Sequence, residues 1–226
     1  MKTVIIVFAL LMSFKGWGQV DRDLSSADSQ MNLSDLSMKA SRTFDNRYEG
    51  MKGSPMLIPF SEGSLTFKGN FYNVNQKKLG LDAVAGLLVM RESDQSYKVL
   101  NSEYVDGFSL MENGKERKFL HERSTGLFLE ILVDEGFKLL AKRSKKIIKA
   151  NYQGGFNAKR PYDEITDQKS EYFIITSSGD LMHLGKKKKS IQDGLVKVPA
   201  AQEYLVDNQH KFFKEEALTK ALAASK

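Results

Sequence analysis

The chain has 226 residues, with 34 Lys and Arg against 28 Asp and Glu, a formal charge of +6 and no cysteine. That length suits one domain with a sizeable core, or a domain with a small appendage, and the mildly basic balance is weak evidence for any partner. The missing cysteine excludes disulfides, thiol catalysis, thiolate metal sites and the acylated cysteine of a bacterial lipoprotein, so packing alone must hold the fold.

Met1-Lys2-Thr3 leads into the uncharged apolar run Val4–Met12, and Ser13-Phe14-Lys15-Gly16-Trp17-Gly18-Gln19 follows. A short basic start, an apolar centre and a small-residue exit describe a secretory signal peptide over residues 1–19. The run falls short of the roughly 20 residues that cross a bilayer, and no later uncharged segment reaches that length. Cleavage after Gln19 removes Lys2 and Lys15 and no acid, which leaves a mature charge of +4. The expectation is an exported protein, periplasmic or cell-surface associated.

Residues 20–43 form a polar N-terminal arm, with a short helix expected after Ser34-Asp35 and Phe44 available to pack on the body. The β-rich body is expected over residues 44–184. It opens on Tyr48-Glu49-Gly50-Met51-Lys52-Gly53-Ser54-Pro55-Met56-Leu57. Gly50 and Gly53 tolerate positive φ, and Pro55 fixes its own φ and extends Ser54. The segment therefore reads as a structural turn motif, carried by Tyr48, Gly50, Gly53, Ser54 and Pro55, that launches a strand at Met56-Leu57-Ile58 until Pro59 limits it.

Short apolar runs broken by turn residues follow, at about the 8–12-residue spacing of an all-β chain. Ser64–Lys68, Phe71–Val74, Leu79–Val84, Gly86–Arg91, Tyr97–Leu100 and Val105–Leu110 are the first six. Gly69-Asn70 signals one turn, and Asn113-Gly114 signals a tight hairpin into Arg117–Leu120. Gly126–Val133 is the most apolar run, and Asp134-Glu135-Gly136 turns it into Phe137–Lys142. A basic connection over residues 143–169 precedes a last hairpin, Glu171–Thr176 with Leu181–Leu184. Sequential antiparallel pairing is the economical topology: a β-meander, as a twisted sheet or an open barrel-like one. A short helical C-terminal cap is expected over residues 185–226, with helices around Ile191 and Leu195, after Pro199, and over Glu215–Ala224.

Together, the signal peptide, the YEGxxGSPxL decapeptide, Gly126–Leu132, Tyr172-Phe173-Ile174, Lys188-Lys189-Ser190-Ile191 and the terminal helices resemble an uncharacterised family of exported β-rich proteins of Bacteroidota-type bacteria. The likeness covers most of residues 40–222, and Met56 stands where the pattern favours an aromatic after Pro55. What it implies is an envelope location and a β-rich body, with no assigned activity and no functional residues to carry over.

Little in the chain points to chemistry. The three histidines, His121, His183 and His210, lie far apart in sequence and read as structural or solvated. Ser54 lacks the glycine spacing of a nucleophile elbow, and Pro55 removes the amide that would serve an oxyanion. Gly50-Met51-Lys52-Gly53 and Gly154-Gly155 are not phosphate loops. The acid pairs Asp134-Glu135, Asp163-Glu164 and Glu215-Glu216 each have a turn, loop or helix-start explanation. Lys186-Lys187-Lys188-Lys189 is the sharpest charge cluster. With Lys142, Arg143, Lys145, Lys146 and Lys149 it would form a basic face for an anionic surface or acidic partner, against a plainer reading as a solvated edge. No aromatics interleave with it, which argues against nucleic acid, and the runs are too short for a porin-type barrel. The expectation is a non-enzymatic binding or scaffolding module that needs no cofactor. The alternatives are a carboxylate-dependent hydrolase of envelope glycans or peptides, and a small-ligand carrier with a closed, hollow barrel.

Overall fold

A computed structural model of the chain describes residues 22–23, 48–93, 96–135, 137–151, 162–176, 178–185, 187–195 and 215–223. Among them the protein is mainly antiparallel β, as the turn spacing predicts. Strands β1 (Arg22–Asp23), β2 (Ser61–Phe67), β3 (Asn70–Asp82), β4 (Leu87–Ser93), β5 (Ser96–Val99), β6 (Val105–Glu112) and β7 (Lys115–Glu122) form the first half. The second half holds β8 (Leu127–Glu135), β9 (Phe137–Ser144), β10 (Ile147–Ile148), β11 (Glu164–Ile165), β12 (Lys169–Ile175) and β13 (Leu181–Gly185), then helices α1 (Lys188–Leu195) and α2 (Glu215–Ala223).

The main sheet runs in the order β13-β12-β9-β8-β7-β6-β2-β3-β4-β5, with β1 parallel to β3 and β10 paired separately with β11. It does not close into a barrel. Apart from the β1–β3 pair, pairing is sequential except at two places. The chain leaves β5 and returns to lie beside β2 as β6, and the β10–β11 ladder interrupts the step from β9 to β12. The first departure is pinned at the β2–β3 turn. Lys68 N donates to Tyr104 O, Gly69 N donates to the Asp106 carboxylate, and Phe67 meets Tyr104 edge to face.

The two-residue turns follow backbone chemistry. Asn113 and Gly114 both take positive φ, the geometry that matches a hairpin's twist. The first turn sits one residue earlier than Gly69-Asn70 suggests: Lys68 and Gly69 are its left-handed pair, between Phe67 and Asn70. The runs Phe71–Val74 and Leu79–Val84 are not separate strands either. They are the two arms of β3, whose residues 75–78 stand opposite Glu62 alone where the strand turns a corner. One arm pairs with β2 and the other with β4.

Bending lets one face of the first half enclose the larger core: Leu65, Tyr72, Leu79, Leu88, Val105 and Leu110 are all fully buried in it. In the second half, strand alternation sends Leu139 and Ile174 to one face and their neighbours Leu140 and Phe173 to the other. Helices α1 and α2 cover the first of these faces through Ile191, Leu195 and Leu218. The α1 spacing Ile191/Leu195 is one helical stripe, and Gly194 lets the helix approach Leu184 where a side chain would collide. Thus α1 and α2 match the helices expected from the sequence. The helix after Pro199, the one after Ser34, the Phe44 contact and the signal segment lie outside the described residues. Within the arm, Arg22 and Asp23 join the sheet by pairing with Tyr72 and Asn73.

Candidate functional site

The Tyr48–Leu57 motif is a junction. Gly50 and Gly53 have φ of +75° and +97°, and a Cβ on Gly53 would press on Ile165 O at 3.1 Å. Lys52 bonds through its backbone to Asp163 and Ile165, joining the motif to β11. Ser54 Oγ accepts from Met56 N, and the Pro55 carbonyl accepts from Ala83 N. The expected strand at Met56 shrinks to a single bridge with Asp82, plus one bond from Leu57 N to Leu81 O. Pro59 follows too closely for more. Asp82 is wholly buried at the centre of the junction. Its carboxylate accepts from Tyr48 Oη at 2.8 Å and from the amides of Val84 and Ala85. Among the described residues every partner of that acid is neutral, and together they tie the loops of the junction.

A second buried acid sits between the two cores. Glu130 faces the same side as Phe128, and Arg143 the same side as Leu139, by strand alternation. Arg117 grips Glu130 with two bonds of 2.6 and 2.8 Å and donates a third to Glu112 at 2.8 Å. Arg143 donates its Nε to Glu130 and a fork of 2.7 and 2.9 Å to Glu215 at the start of α2. Tyr172 Oη also donates to Glu215. Burial works against the charged forms of both arginines, but their carboxylate partners overrule it and both pKa values move up. Burial likewise favours the protonated form of Glu215, yet Arg143, then Tyr172, hold it below its ordinary value. This cluster escaped the sequence reading, although a lone acid within Leu127–Val133 was a signal that something must pair with it.

The cluster also takes one member from the expected basic face. Arg143 is buried in it. Lys145 Nζ turns inward to the carbonyls of Ser54 and Met56, and Lys149 pairs with Asp163. Lys187 is exposed just before α1 and Lys189 in its first turn, Lys186 lies outside the described residues, and the side chain of Lys188 does likewise. The acid pairs divide too. Asp134 pairs with Lys138, and Lys149 with the Ala150 amide keeps Asp163 below the ordinary carboxylate range. His121 lies tilted against Phe128 with both ring nitrogens buried and unpaired among the described residues, and His183 lies against Phe173 on another strand. His210 lies outside the described residues.

The remaining feature is a cleft of about 370 Å³ lined by Ile58, Pro59, Phe60, Ser61, Glu62, Met111, Glu112 and Asn113. Its origin is topological. Strands β2 and β6 pair from Phe67↔Val105 to Gly63↔Leu110 and then part: Ser61 crosses to Leu79, while Met111 and Glu112 stay with β7. At the fork the backbones nearly touch, since a Cβ on Gly63 would lie 1.9 Å from Ser109 O. Phe60 is held by the Tyr97 ring at 5.4 Å and by Arg91, and it settles with Met56 over Gly80, where no side chain intervenes. Met111 is one of two large apolar side chains left exposed among the described residues. Neither Glu62 nor Met111 carried any signal in the sequence, because only the parting of two distant strands brings them together.

Compared with known proteins, the chain matches no family model, no curated protein and no solved structure.

Proposed function

We propose that this protein is an exported, non-enzymatic binding module of the bacterial envelope, and that the cleft at the β2–β6 fork is its working surface. The observation that carries this reading is the open cleft itself, in which Glu112 is already tied to Arg117. Among the described residues, the carboxylates with altered acidity, Glu122, Asp163 and Glu215, are held below the ordinary range by neighbouring donors. An acid catalyst requires the opposite shift. Meanwhile a preformed hollow of ligand-binding size, with apolar walls and a few polar groups, stays open at the surface. Export rests on the N-terminal segment and on the resemblance of the decapeptide.

One observation favours the hydrolase alternative: Glu62 and Glu112 both line the cleft. Glu112 is tied to Arg117 at 2.8 Å, which suits it for charge balance rather than proton transfer. The carrier reading required a closed barrel, and the ten-stranded path is open.

Fractionation of producing cells, followed by cross-linking and mass spectrometry, tests the proposal. The expected result is a processed chain in the envelope fraction with a specific attached partner. An unprocessed cytoplasmic chain, or glycan or peptide hydrolysis abolished by Glu62→Gln, would overturn it.

A further inference from the structure

We infer that the cleft receives a lysine side chain presented by a peptide or protein partner, an inference that rests on the binding-module reading above. Among the described residues, its lining supplies two carboxylates, an amide, the buried and unpartnered Ser61 hydroxyl, and no cation. Glu62 is exposed and has no hydrogen bond or ion pair among the described residues. Glu112 gives one oxygen to Arg117 and, among the described residues, keeps Oε1 unengaged. An incoming ammonium therefore meets one free carboxylate and the spare oxygen of another. It donates three hydrogen bonds from a compact head, so one lysine can use both acceptors at once.

The apolar walls suit the stem of the same residue. Ile58, Phe60 and Met111 line the hollow, and a four-carbon chain covers such surface while its charged head stays among polar groups. At about 370 Å³ the cleft is near the lower bound for small-molecule pockets, a size for one side chain and the backbone that carries it. Phe60 is fixed beforehand by Tyr97 and Arg91, so little ordering is required on binding. A carboxylate-bearing ligand would meet like charge in the same place.

The test is a titration of the full purified chain with acetyl-Gly-Lys-Gly-amide, followed by the Phe60 ring and Met111 methyl resonances. The matched peptides carry norleucine, which keeps the stem and drops the charge, or glutamate. The lysine peptide is expected to shift both resonances saturably and to bind about fivefold more tightly than the norleucine peptide, the ratio a partly exposed ion pair supports. Glu62→Gln should erase that advantage without moving the Leu139 and Ile174 methyls, because Glu62 is exposed and unpaired. Absence of saturable shifts, equal lysine and norleucine affinities, tighter glutamate binding, or indifference to Glu62→Gln would each overturn the inference. Free hexylammonium binding as tightly as the peptide would overturn the commitment to a peptide source. These readouts use purified protein, so they fail independently of the cellular localisation and partner capture that decide the module reading.

Discussion

Asp82 and Glu130 are both buried carboxylates, and the two halves of the molecule satisfy them in opposite ways. Asp82 is answered by a phenol and two amides, all neutral and all within or beside the opening junction. Glu130 is answered by two guanidiniums that also serve Glu112 and Glu215. The first arrangement depends on hydrogen-bond geometry and the second on charge balance. Neutralising each acid should therefore have unequal consequences, and several substitutions separate the two cases.

The largest effect is expected from Arg143→Met. It leaves Glu130 with Arg117 alone and strips Glu215 of its fork, so unfolding free energy should fall by about 3–5 kcal/mol in urea titrations. Neutralising the acids sharpens the contrast. Glu130→Gln should cost about 2–3 kcal/mol, because two buried guanidiniums lose a shared counter-charge. Asp82→Asn should cost under about 1 kcal/mol, since its amide oxygen still accepts from Val84 and Ala85 and its nitrogen can donate to Tyr48 Oη. Similar losses for these two variants would erase the distinction. Within the junction, Gly53→Val should cost about 1–3 kcal/mol through forced positive φ, with partner binding per folded molecule unchanged. A stable variant that lost binding would make the motif a site.

A smaller effect concerns acid. Arg143 and Tyr172 hold Glu215 below its ordinary value, so the folded chain takes up that proton less readily than the unfolded one. The docking of α2 through this acid should be complete above about pH 5 and should weaken as pH falls through the depressed folded value. Hydrogen exchange of the α2 amides should rise at acid pH before that of β8 and β9, and Glu215→Gln should remove the pH dependence. The smallest effect is expected from serine at Lys187 and Lys189, which should change stability by less than about 0.5 kcal/mol. Salt-dependent loss of envelope association in that variant would restore a role for the lysine run.

The legible parts of the chain were the local ones. Asn113-Gly114, the spacing of Ile191 and Leu195, and the acids leading α2 act within a few residues, so their sequence decides their geometry. Gly50, Gly53 and Pro55 announced a backbone device for the same reason. What stayed hidden depends on strands far apart in sequence. Arg143 looked like part of a basic run until β8 and α2 supplied its acids. The bend in β3 leaves no composition signal, because Leu79–Val84 reads as a strand of its own. The cleft exists only because β6 returns beside β2 and then leaves it.

The most direct test of the central claim places a photo-cross-linking amino acid at Met111, in the cleft, and separately at Tyr162, the other exposed large apolar position among the described residues. Irradiation of producing cells should yield a discrete envelope adduct from position 111 that weakens on Glu62→Gln, and none from position 162. Equal adducts from both positions, or none from the cleft in a correctly folded chain, would contradict the account.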